Sequence, residues 1–242
     1  MIQLRDVSKT YHLHGRHKIV ADRIDVVFPS GVSVGLLGRN GAGKSSLLQM
    51  IAGTLDPDEG DIHSDGLISW PVGFAGSFHG DLTGAQNVRF VGRVYGVDTD
   101  ELVAFVREFA ALGDHFHLPF RSYSSGMRSR LAFGLSMGIR FDTYLVDEVT
   151  SVGDAIFKAK SARVFDERRR TSGAIVVSHS MKMIRRLCDA GAVLEGGRLT
   201  YFDSIDDAIA FYEGEVLGLD EGKPKRRKRK RASARARART PA

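Results

Sequence analysis

Short apolar runs and apolar stripes at helical spacing alternate along most of this chain. Alternating or continuous apolar positions predict strands at 2–7, 19–28, 32–37, 143–148 and 174–179. A further segment, 192–202, contains Gly196 and Gly197 at its centre and predicts a hairpin that turns at these glycines. The strand pattern is therefore concentrated towards the two ends of the chain.

Helical periodicity fills the spaces between these strands. It predicts a helix shortly after residue 43, a second over 100–112 that opens with Asp98, and a last one over 205–217. The region from about 70 to 140 is mostly helical in this pattern. Strands that alternate with helices favour an α/β fold with a parallel sheet, whose ligands bind where strands end and helices begin.

A glycine-rich loop follows the predicted strand 32–37. Its sequence, GRNGAGKS, is a full match to the phosphate-binding pattern GxxxxGK[ST], the Walker A motif. The glycines let successive backbone N–H groups surround an anion at the start of the next helix. Lys44 would reach the β- and γ-phosphates of a nucleotide, and Ser45 would bind Mg²⁺. The predicted nucleotide-binding residues here are Gly38, Arg39, Asn40, Gly41, Ala42, Gly43, Lys44, Ser45 and Ser46.

Two acidic residues, Asp147 and Glu148, end the predicted strand 143–148. A carboxylate at this place can hold Mg²⁺ through water, and its neighbour can take a proton from an attacking water. Apolar runs that end in an acidic residue are common, so the pair is informative only beside the phosphate loop. Together they indicate a nucleoside triphosphatase in which Asp147 binds the metal, while Glu148 and Lys44 act in catalysis.

Four further segments stand in a recognisable order. Tyr11 precedes the phosphate loop, YSSGMRSR occupies 123–130, SVGD occupies 151–154, and His179 ends a predicted strand. With them, the chain resembles the ATP-binding subunits of ABC transporters from its start to about residue 215. The resemblance implies a P-loop NTPase core with a parallel sheet, an antiparallel β region and an inserted helical subdomain. It also implies that the chain hydrolyses ATP and that ATP and Mg²⁺ are its cofactors.

The family's signature sequence LSGGQ corresponds to residues 123–127, where Ser124 and Gly126 match it. These residues place a hydroxyl and N–H groups at a helix N-terminus, which suits a γ-phosphate. In the family this motif serves the ATP held by the other subunit, so the resemblance implies a head-to-tail homodimer with two shared sites. Without the other motifs, a serine-rich helix cap would be the preferred interpretation.

Three single residues take their roles from the same resemblance. His179 corresponds to the switch histidine at the γ-phosphate, although a histidine at a strand end is usually structural. Tyr11 corresponds to the aromatic ring that stacks on adenine, although a tyrosine on an edge strand needs no such role. Asp154 corresponds to the aspartate that signals between subunits, and a plain helix cap is the alternative.

One expected residue is missing from the stretch VGFAGSFHGDLTGAQNV at 72–88. The family usually has a glutamine here, which links the γ-phosphate and Mg²⁺ to the permease contact. Gln86 comes too late in the chain for this role. His79 is the preferred replacement, because imidazole can exchange hydrogen bonds or bind a metal, and Ser77 is its competitor.

The amino-acid sequences of several segments resemble those of the ABC branch that exports capsular polysaccharide, with O-antigen and teichoic-acid exporters as near relatives. These segments are SWPVGF, FHGDLTG, YSSGMRSRLAF and DEVTSVGDA. The resemblance implies a peripheral protein on the cytoplasmic face of the bacterial inner membrane, with a separate permease and, indirectly, a periplasmic adaptor. The alternative function is a soluble ABC-type ATPase that acts on nucleic acid or ribosomes.

The 242-residue chain is expected to divide into an ATPase domain at 1–218 and a basic tail at 219–242, in which residues 223–242 carry only basic charges. From Gly222 onward the chain has no core-forming residues, so disorder is expected there, and attraction to anionic lipid or non-specific contact with nucleic acid are the alternatives. The start of the chain lacks the apolar core of a secretory signal, and no run of about 18 apolar residues is present. A single cysteine, Cys188, fits a reducing compartment.

Overall fold

A computed structural model describes residues 1–13, 15–73, 76, 78–147 and 154–218, which form two sheets and the helices around them. An antiparallel sheet has the order β2-β1-β4 and contains β1 (Ile2–Leu13), β2 (Arg16–Phe28) and β4 (Glu59–Ser64). The second sheet has the order β5-β6-β7-β3-β8-β9 and contains β3 (Ser33–Leu37), β5 (Ile68–Pro71), β6 (Thr143–Asp147), β7 (Gly173–Val177), β8 (Ala190–Glu195) and β9 (Arg198–Phe202).

The helices are α1 (Lys44–Ile51), α2 (Gly84–Val94), α3 (Thr99–Ala110), α4 (Ser125–Gly138), α5 (Ala155–Arg169), α6 (Met181–Leu187) and α7 (Ile205–Phe211). Short 3₁₀ turns lie at Gly113–His117 and Phe120–Ser122, and a π turn at Tyr212–Val216 follows α7. Within the described residues, none of these helices has the length and apolar composition that a bilayer crossing requires.

The predicted parallel core is confirmed. β6, β7 and β3 pair in parallel, and β8 continues the sheet in parallel with β3. Every residue of β3 and β7 is buried, as expected when both faces of a parallel sheet are covered. Only β9 runs antiparallel, because it returns from β8 through the predicted turn at Gly196 and Gly197. The carboxyl ends of β3, β6 and β7 therefore meet at one edge of the sheet.

Two strands were not predicted. β4 has the sequence EGDIHS, in which only Ile62 is even partly buried, so its apolar alternation is too weak to recognise. β5 contains Pro71, which normally argues against a strand, but β5 lies at the edge of its sheet, where a missing N–H is tolerated. Tertiary pairing, not local pattern, determines both strands.

The region from about 70 to 140 is mainly helical, as predicted, and its first helix, α2, begins with a capping box. Thr83 caps α2 by accepting from the Gln86 N–H, while the Gln86 side chain accepts from the Thr83 N–H. Gln86 is thus occupied in starting a helix. The predicted start of α3 is also confirmed, since the Asp98 carboxylate accepts from the N–H groups of Asp100 and Glu101.

Helix α5 joins the helical region to the parallel sheet. Lys160 Nζ donates to the carbonyls of Glu108 at 3.0 Å and Phe109 at 3.2 Å, at the end of α3. Arg168 Nε donates to the Met137 carbonyl, near the end of α4, at 2.9 Å. Cations at helix C-termini satisfy the last carbonyls and complement the helix dipole. α5 therefore holds the C-terminal ends of both helices.

Candidate functional site

The phosphate loop lies between the end of β3 and the start of α1. Its backbone has positive φ at Gly38 (155°), Gly41 (79°) and Gly43 (108°). A Cβ on Gly43 would stand 2.8 Å from the Val20 Cβ, and one on Gly38 would stand 2.5 Å from the Leu194 carbonyl oxygen. Glycine is therefore required at both places by space as well as by backbone conformation. No side chain caps α1, so its first N–H groups remain available to an anion.

Lys44 and Ser45 begin α1 and face the edge of the sheet. Lys44 Nζ donates to the carbonyls of Gly38 at 2.7 Å and Arg39 at 3.0 Å. Ser45 Oγ donates to Asp147 Oδ2 at 3.0 Å, so the two predicted metal ligands are adjacent. A hydroxyl and a carboxylate beside a phosphate-binding loop form the oxygen set that suits Mg²⁺, which commonly takes one or two protein ligands plus phosphate oxygens. No cluster of three or more His, Cys, Asp or Glu side chains suited to a metal exists among the described residues.

A cavity of about 500 Å³ gathers most of the predicted residues. His179 reaches it from two residues beyond β7, because that strand ends at Val177 and not at the predicted 179. Tyr11 reaches it from β1, and its hydroxyl lies 3.3 Å from Ser46 Oγ. The cavity is lined by Tyr11, Lys18, Val20, Asn40, Gly41, Gly43, Lys44, Ser45, Ser46, Asp147, Val177 and His179.

Three positions of the phosphate loop lie outside this lining. Gly38 contributes its carbonyl to Lys44, as described above. Arg39 and Ala42 line a separate cavity of about 300 Å³ on the side of the loop that faces the turn at Gly196 and Gly197. The sequence missed Lys18, Val20 and Val177, which belong to the main cavity.

The signature residues lie at the start of α4 and do not line the cavity of their own chain. Ser124 is the N-cap of α4, and its hydroxyl accepts from the Met127 N–H at 3.3 Å. Gly126 is exposed, and a Cβ there would meet nothing within 4 Å in the described part of the chain. Packing within the chain therefore gives no reason for a glycine at this position. Tyr123, at the first signature position, is buried and donates to the His115 carbonyl at 2.6 Å.

Asp154 also lies outside the cavity and is the N-cap of α5. It accepts from the Phe157 N–H at 2.9 Å and forms an ion pair of 2.7 Å with Arg130 on α4. The pKa of the Asp154 carboxyl is lowered, chiefly by the Phe157 N–H and further by the charge of Arg130. Within one chain, Asp154 thus has the geometry of a plain helix cap, and its ion pair with Arg130 adds a contact to α4.

His79 lies in the loop before α2, is exposed, and does not line the cavity. Its Nδ1 accepts from the Asp81 N–H at 3.3 Å, and its own N–H donates to the Asn87 side chain at 2.9 Å. Asn87 is 2% exposed and also donates to the carbonyls of His79 and Leu82, so it fixes this loop from below. Glu148, Ser77 and residues 151–153 lie outside the described residues.

An apolar groove of about 470 Å³ opens on another side of the molecule, between α1, β5 and α2. Two of its side chains on α2 are strongly exposed, Phe90 at 57% and Val94 at 66%. The Trp70 ring packs edge-on against Tyr95, with centroids 5.3 Å apart, and the two rings form one side of the groove. Residues that line the groove are Gln49, Thr54, Leu55, Trp70, Pro71, Phe90, Val91, Val94 and Tyr95.

Comparison of the sequence with known families gives a match to the ABC transporter profile over residues 21–151. The chain is 47% identical to the polysialic acid transport ATP-binding protein KpsT of Escherichia coli, over 92% of this chain and 96% of KpsT. It is 43% identical to the capsule polysaccharide export ATP-binding protein CtrD of Neisseria meningitidis serogroup B, over 88% of this chain and 98% of CtrD.

Comparison of the folds leads to solved ATP-binding cassettes. One is a dimeric cassette in a post-hydrolysis state with bound ADP and phosphate, with a TM-score of 0.71 and 18% identity. The match covers 85% of this chain and 99% of that structure. At this identity the likeness concerns the fold, which is the α/β fold of these cassettes with a mixed sheet and an antiparallel sheet.

Proposed function

This chain belongs to the ABC transporter family, and we propose that it is the ATP-hydrolysing subunit of an exporter that moves a polysaccharide across the bacterial inner membrane. One observation carries the ATPase part. The phosphate loop, the Ser45–Asp147 pair, His179 and Tyr11 surround a single cavity. The cargo is inferred from the relatives, whose names specify transport of polysialic acid and export of capsule polysaccharide.

Each side chain around the cavity has a role that follows from its position. The glycine loop and the start of α1 present N–H groups to the phosphates, and Lys44 needs only to turn from two loop carbonyls to reach them. Tyr11, which lines the cavity from β1, offers its ring to the adenine. Ser45 and Asp147 would hold Mg²⁺, which supplies positive charge against the phosphate oxygens. His179 stabilises the γ-phosphate, and Glu148 takes the proton from water.

The signature residues act on the ATP of a second copy of this chain. Ser124 and Gly126 lie at a helix N-terminus, outside the cavity of their own chain, and space is open above Gly126. A helix N-terminus of this kind attracts an anion. A head-to-tail homodimer would bring it onto the γ-phosphate held by the partner, and Asp154 would lie close to the same interface.

The apolar groove between α1, β5 and α2 is where the membrane permease docks. Its occupant would be an apolar or amphipathic segment of that permease, since Phe90 and Val94 expose large apolar side chains to solvent. α1 forms one wall of the groove and carries Lys44 and Ser45 at its opposite end. A segment seated in the groove is therefore linked to the phosphates through one rigid helix.

The location follows from this partner. The chain would lie on the cytoplasmic face of the inner membrane beneath the permease, with a periplasmic adaptor in indirect contact. The tail 219–242, which lies outside the described residues, would approach anionic lipid through its basic residues, each worth about 1 kcal/mol near the surface. The alternative of an ATPase acting on nucleic acid or ribosomes gains no support from the relatives reported above.

The proposal is tested by purifying the tagged chain from bacterial membranes, identifying co-purified proteins by mass spectrometry and measuring ATP hydrolysis. We expect a polytopic membrane protein and vanadate-sensitive hydrolysis. A Phe90→Glu/Val94→Glu variant should lose the membrane protein but still bind ATP. The control variant Val27→Glu changes an exposed apolar residue of β2 that does not line the groove, and it should still co-purify with the membrane protein. Recovery of the chain only as a soluble species with RNA or ribosomes would refute the transporter assignment.

A further inference from the structure

Among the described residues that line the ATP cavity, Lys18 is the one cationic side chain that no motif predicted. It lies on β2, directly opposite Tyr11 on β1 in the antiparallel register. Directly opposed residues of an antiparallel pair place their side chains on the same face, with Cβ atoms about 5 Å apart. Tyr11 and Lys18 therefore enter the cavity side by side, and both line it.

The ammonium of Lys18 lies over the phosphate loop. A Cβ built on Gly41 would stand 3.5 Å from Lys18 Nζ, and this is the only contact that such a Cβ would make within the described residues. Gly41 has a φ of 79° and belongs to the loop whose N–H groups would surround a bound phosphate. The ammonium thus lies where the phosphates of a nucleotide would come closest to β2.

Within the described part of the chain, the charge of Lys18 meets no opposite charge. Among the described residues, no carboxylate or carbonyl forms an ion pair or hydrogen bond with its ammonium, and the side chain is exposed. The ammonium of Lys44, by contrast, is held by two loop carbonyls. An exposed lysine without a partner, held beside an anion-binding loop, is placed to meet the anion itself.

We propose that Lys18 is a second cationic ligand of the ATP phosphate chain, presented from β2 beside Gly41. The inference rests on the proposed function, since it requires ATP in this cavity. It means that one β-ribbon supplies both the ring for the adenine and a charge for the phosphates. Nucleotide binding would then tie the antiparallel sheet to the parallel core.

The test is the affinity of the full chain for nucleotide, measured by titration with a fluorescent ATP analogue and by competition with ATP and with adenosine. Lys18→Met should weaken ATP binding about tenfold, the size expected when one partly exposed charge-assisted contact is lost. Lys18→Arg should restore affinity to within about twofold, because it keeps the charge. Adenosine has no phosphate, so its competition should not change. Arg23→Met removes the same charge from β2 five residues away and serves as the matched control.

Two results would overturn the inference alone, and a third would overturn it together with the proposed function. ATP affinity of Lys18→Met equal to that of the unaltered chain would show that the ammonium does not meet the phosphates. An equal loss of ATP and adenosine affinity would assign Lys18 to the base, the ribose or local folding instead. Failure of the unaltered chain to bind ATP would refute the proposed function, and the role of Lys18 with it.

Discussion

Gly126→Ala should make this protein slightly more stable and much less active. Gly126 is the second residue of α4, after the N-cap Ser124, and has ordinary helical backbone conformation. An added methyl group would meet no atom within 4 Å in the described part of the chain. Packing therefore gives no advantage to glycine at this position, and alanine would favour the helical conformation more strongly than glycine does.

The two effects have different sizes. Replacing glycine by alanine within a helix is worth about 0.5–1 kcal/mol, and the first turn gives the lower end of this range. For a chain of this length, such a gain raises the melting temperature by about 1–3 °C. In the proposed head-to-tail homodimer, the methyl group would stand between the N–H groups of α4 and the partner's γ-phosphate. Loss of one hydrogen bond to a charged group costs about 1.5–3 kcal/mol, which corresponds to a ten- to hundredfold slower hydrolysis.

The assay pairs thermal unfolding, followed by circular dichroism, with steady-state hydrolysis at saturating MgATP. Ser129→Ala is the control, because it raises the alanine content of the same helix three residues further on and should leave hydrolysis unchanged. Unchanged hydrolysis by Gly126→Ala would refute the role of Gly126 at the phosphate. A lower melting temperature would show that the space above Gly126 is not open.

Two other substitutions and one labelling experiment test separate parts of the molecule. Glu148→Gln should keep ATP affinity but slow single-turnover hydrolysis at least about a hundredfold, and normal turnover would remove Glu148 from the base role. His79→Ala should leave ATP binding by the isolated chain unchanged, because His79 lies outside the cavity, and should uncouple hydrolysis from transport in the assembled exporter; wild-type coupling would contradict this. Cys188 should resist alkylation in the native chain at pH 8 and react after unfolding, because burial raises its pKa to about 12; rapid native labelling would contradict the burial.

The phosphate loop could be read from the sequence because its chemistry is local. Gly38 and Gly43 are required by backbone conformation and by neighbouring atoms, so the spacing of glycines is itself the structural signal. Asp147 could be predicted equally well. A buried parallel strand that ends in an acidic residue places this residue at the edge of the sheet where α1 begins. These predictions need only the strand, the loop and the helix in succession.

Lys18 could not be found in this way, because its position depends on strand register. The sequence predicted strands at 2–7 and 19–28, which leaves both Tyr11 and Lys18 outside regular structure. In the structure β1 ends at Leu13 and β2 begins at Arg16, so both strands are longer than predicted and only two positions separate them. Tyr11 therefore lies opposite Lys18. Gly15, with a φ of 76°, was the available signal for a tight turn.

The apolar groove could not be predicted from the sequence for a related reason. Trp70 comes from an edge strand that was not predicted, and Phe90 and Val94 come from a helix whose partners lie elsewhere in the chain. An exposed apolar residue has no distinctive local pattern, and only the packing of α1, β5 and α2 shows that these side chains share one surface.

The contact between Arg130 and Asp154 leads to a last prediction about how the signature helix is held. Arg130 lies on α4, and its guanidinium is 5.0 Å from the centre of the Phe157 ring on α5. Asp154→Asn keeps the cap of α5, since asparagine is a good N-cap, and removes only the charge. Arg130→Met keeps an apolar stem against Phe157 and likewise removes only the charge.

If the two charges act as one unit, either substitution should lower the melting temperature at pH 7 and the double variant should lower it no further. The pKa of Asp154 is lowered from 3.8, so its contribution is present above that pH and is lost as the pH falls through the lower folded-state value. The difference between Asp154→Asn and the unaltered chain should therefore shrink in strong acid. Additive losses, or a difference that persists in acid, would show that the charges of Arg130 and Asp154 do not act as one unit, and that the other contacts between α4 and α5 hold the two helices together. In the proposed homodimer, the signature residues and Asp154 would then approach the partner's ATP as separate elements.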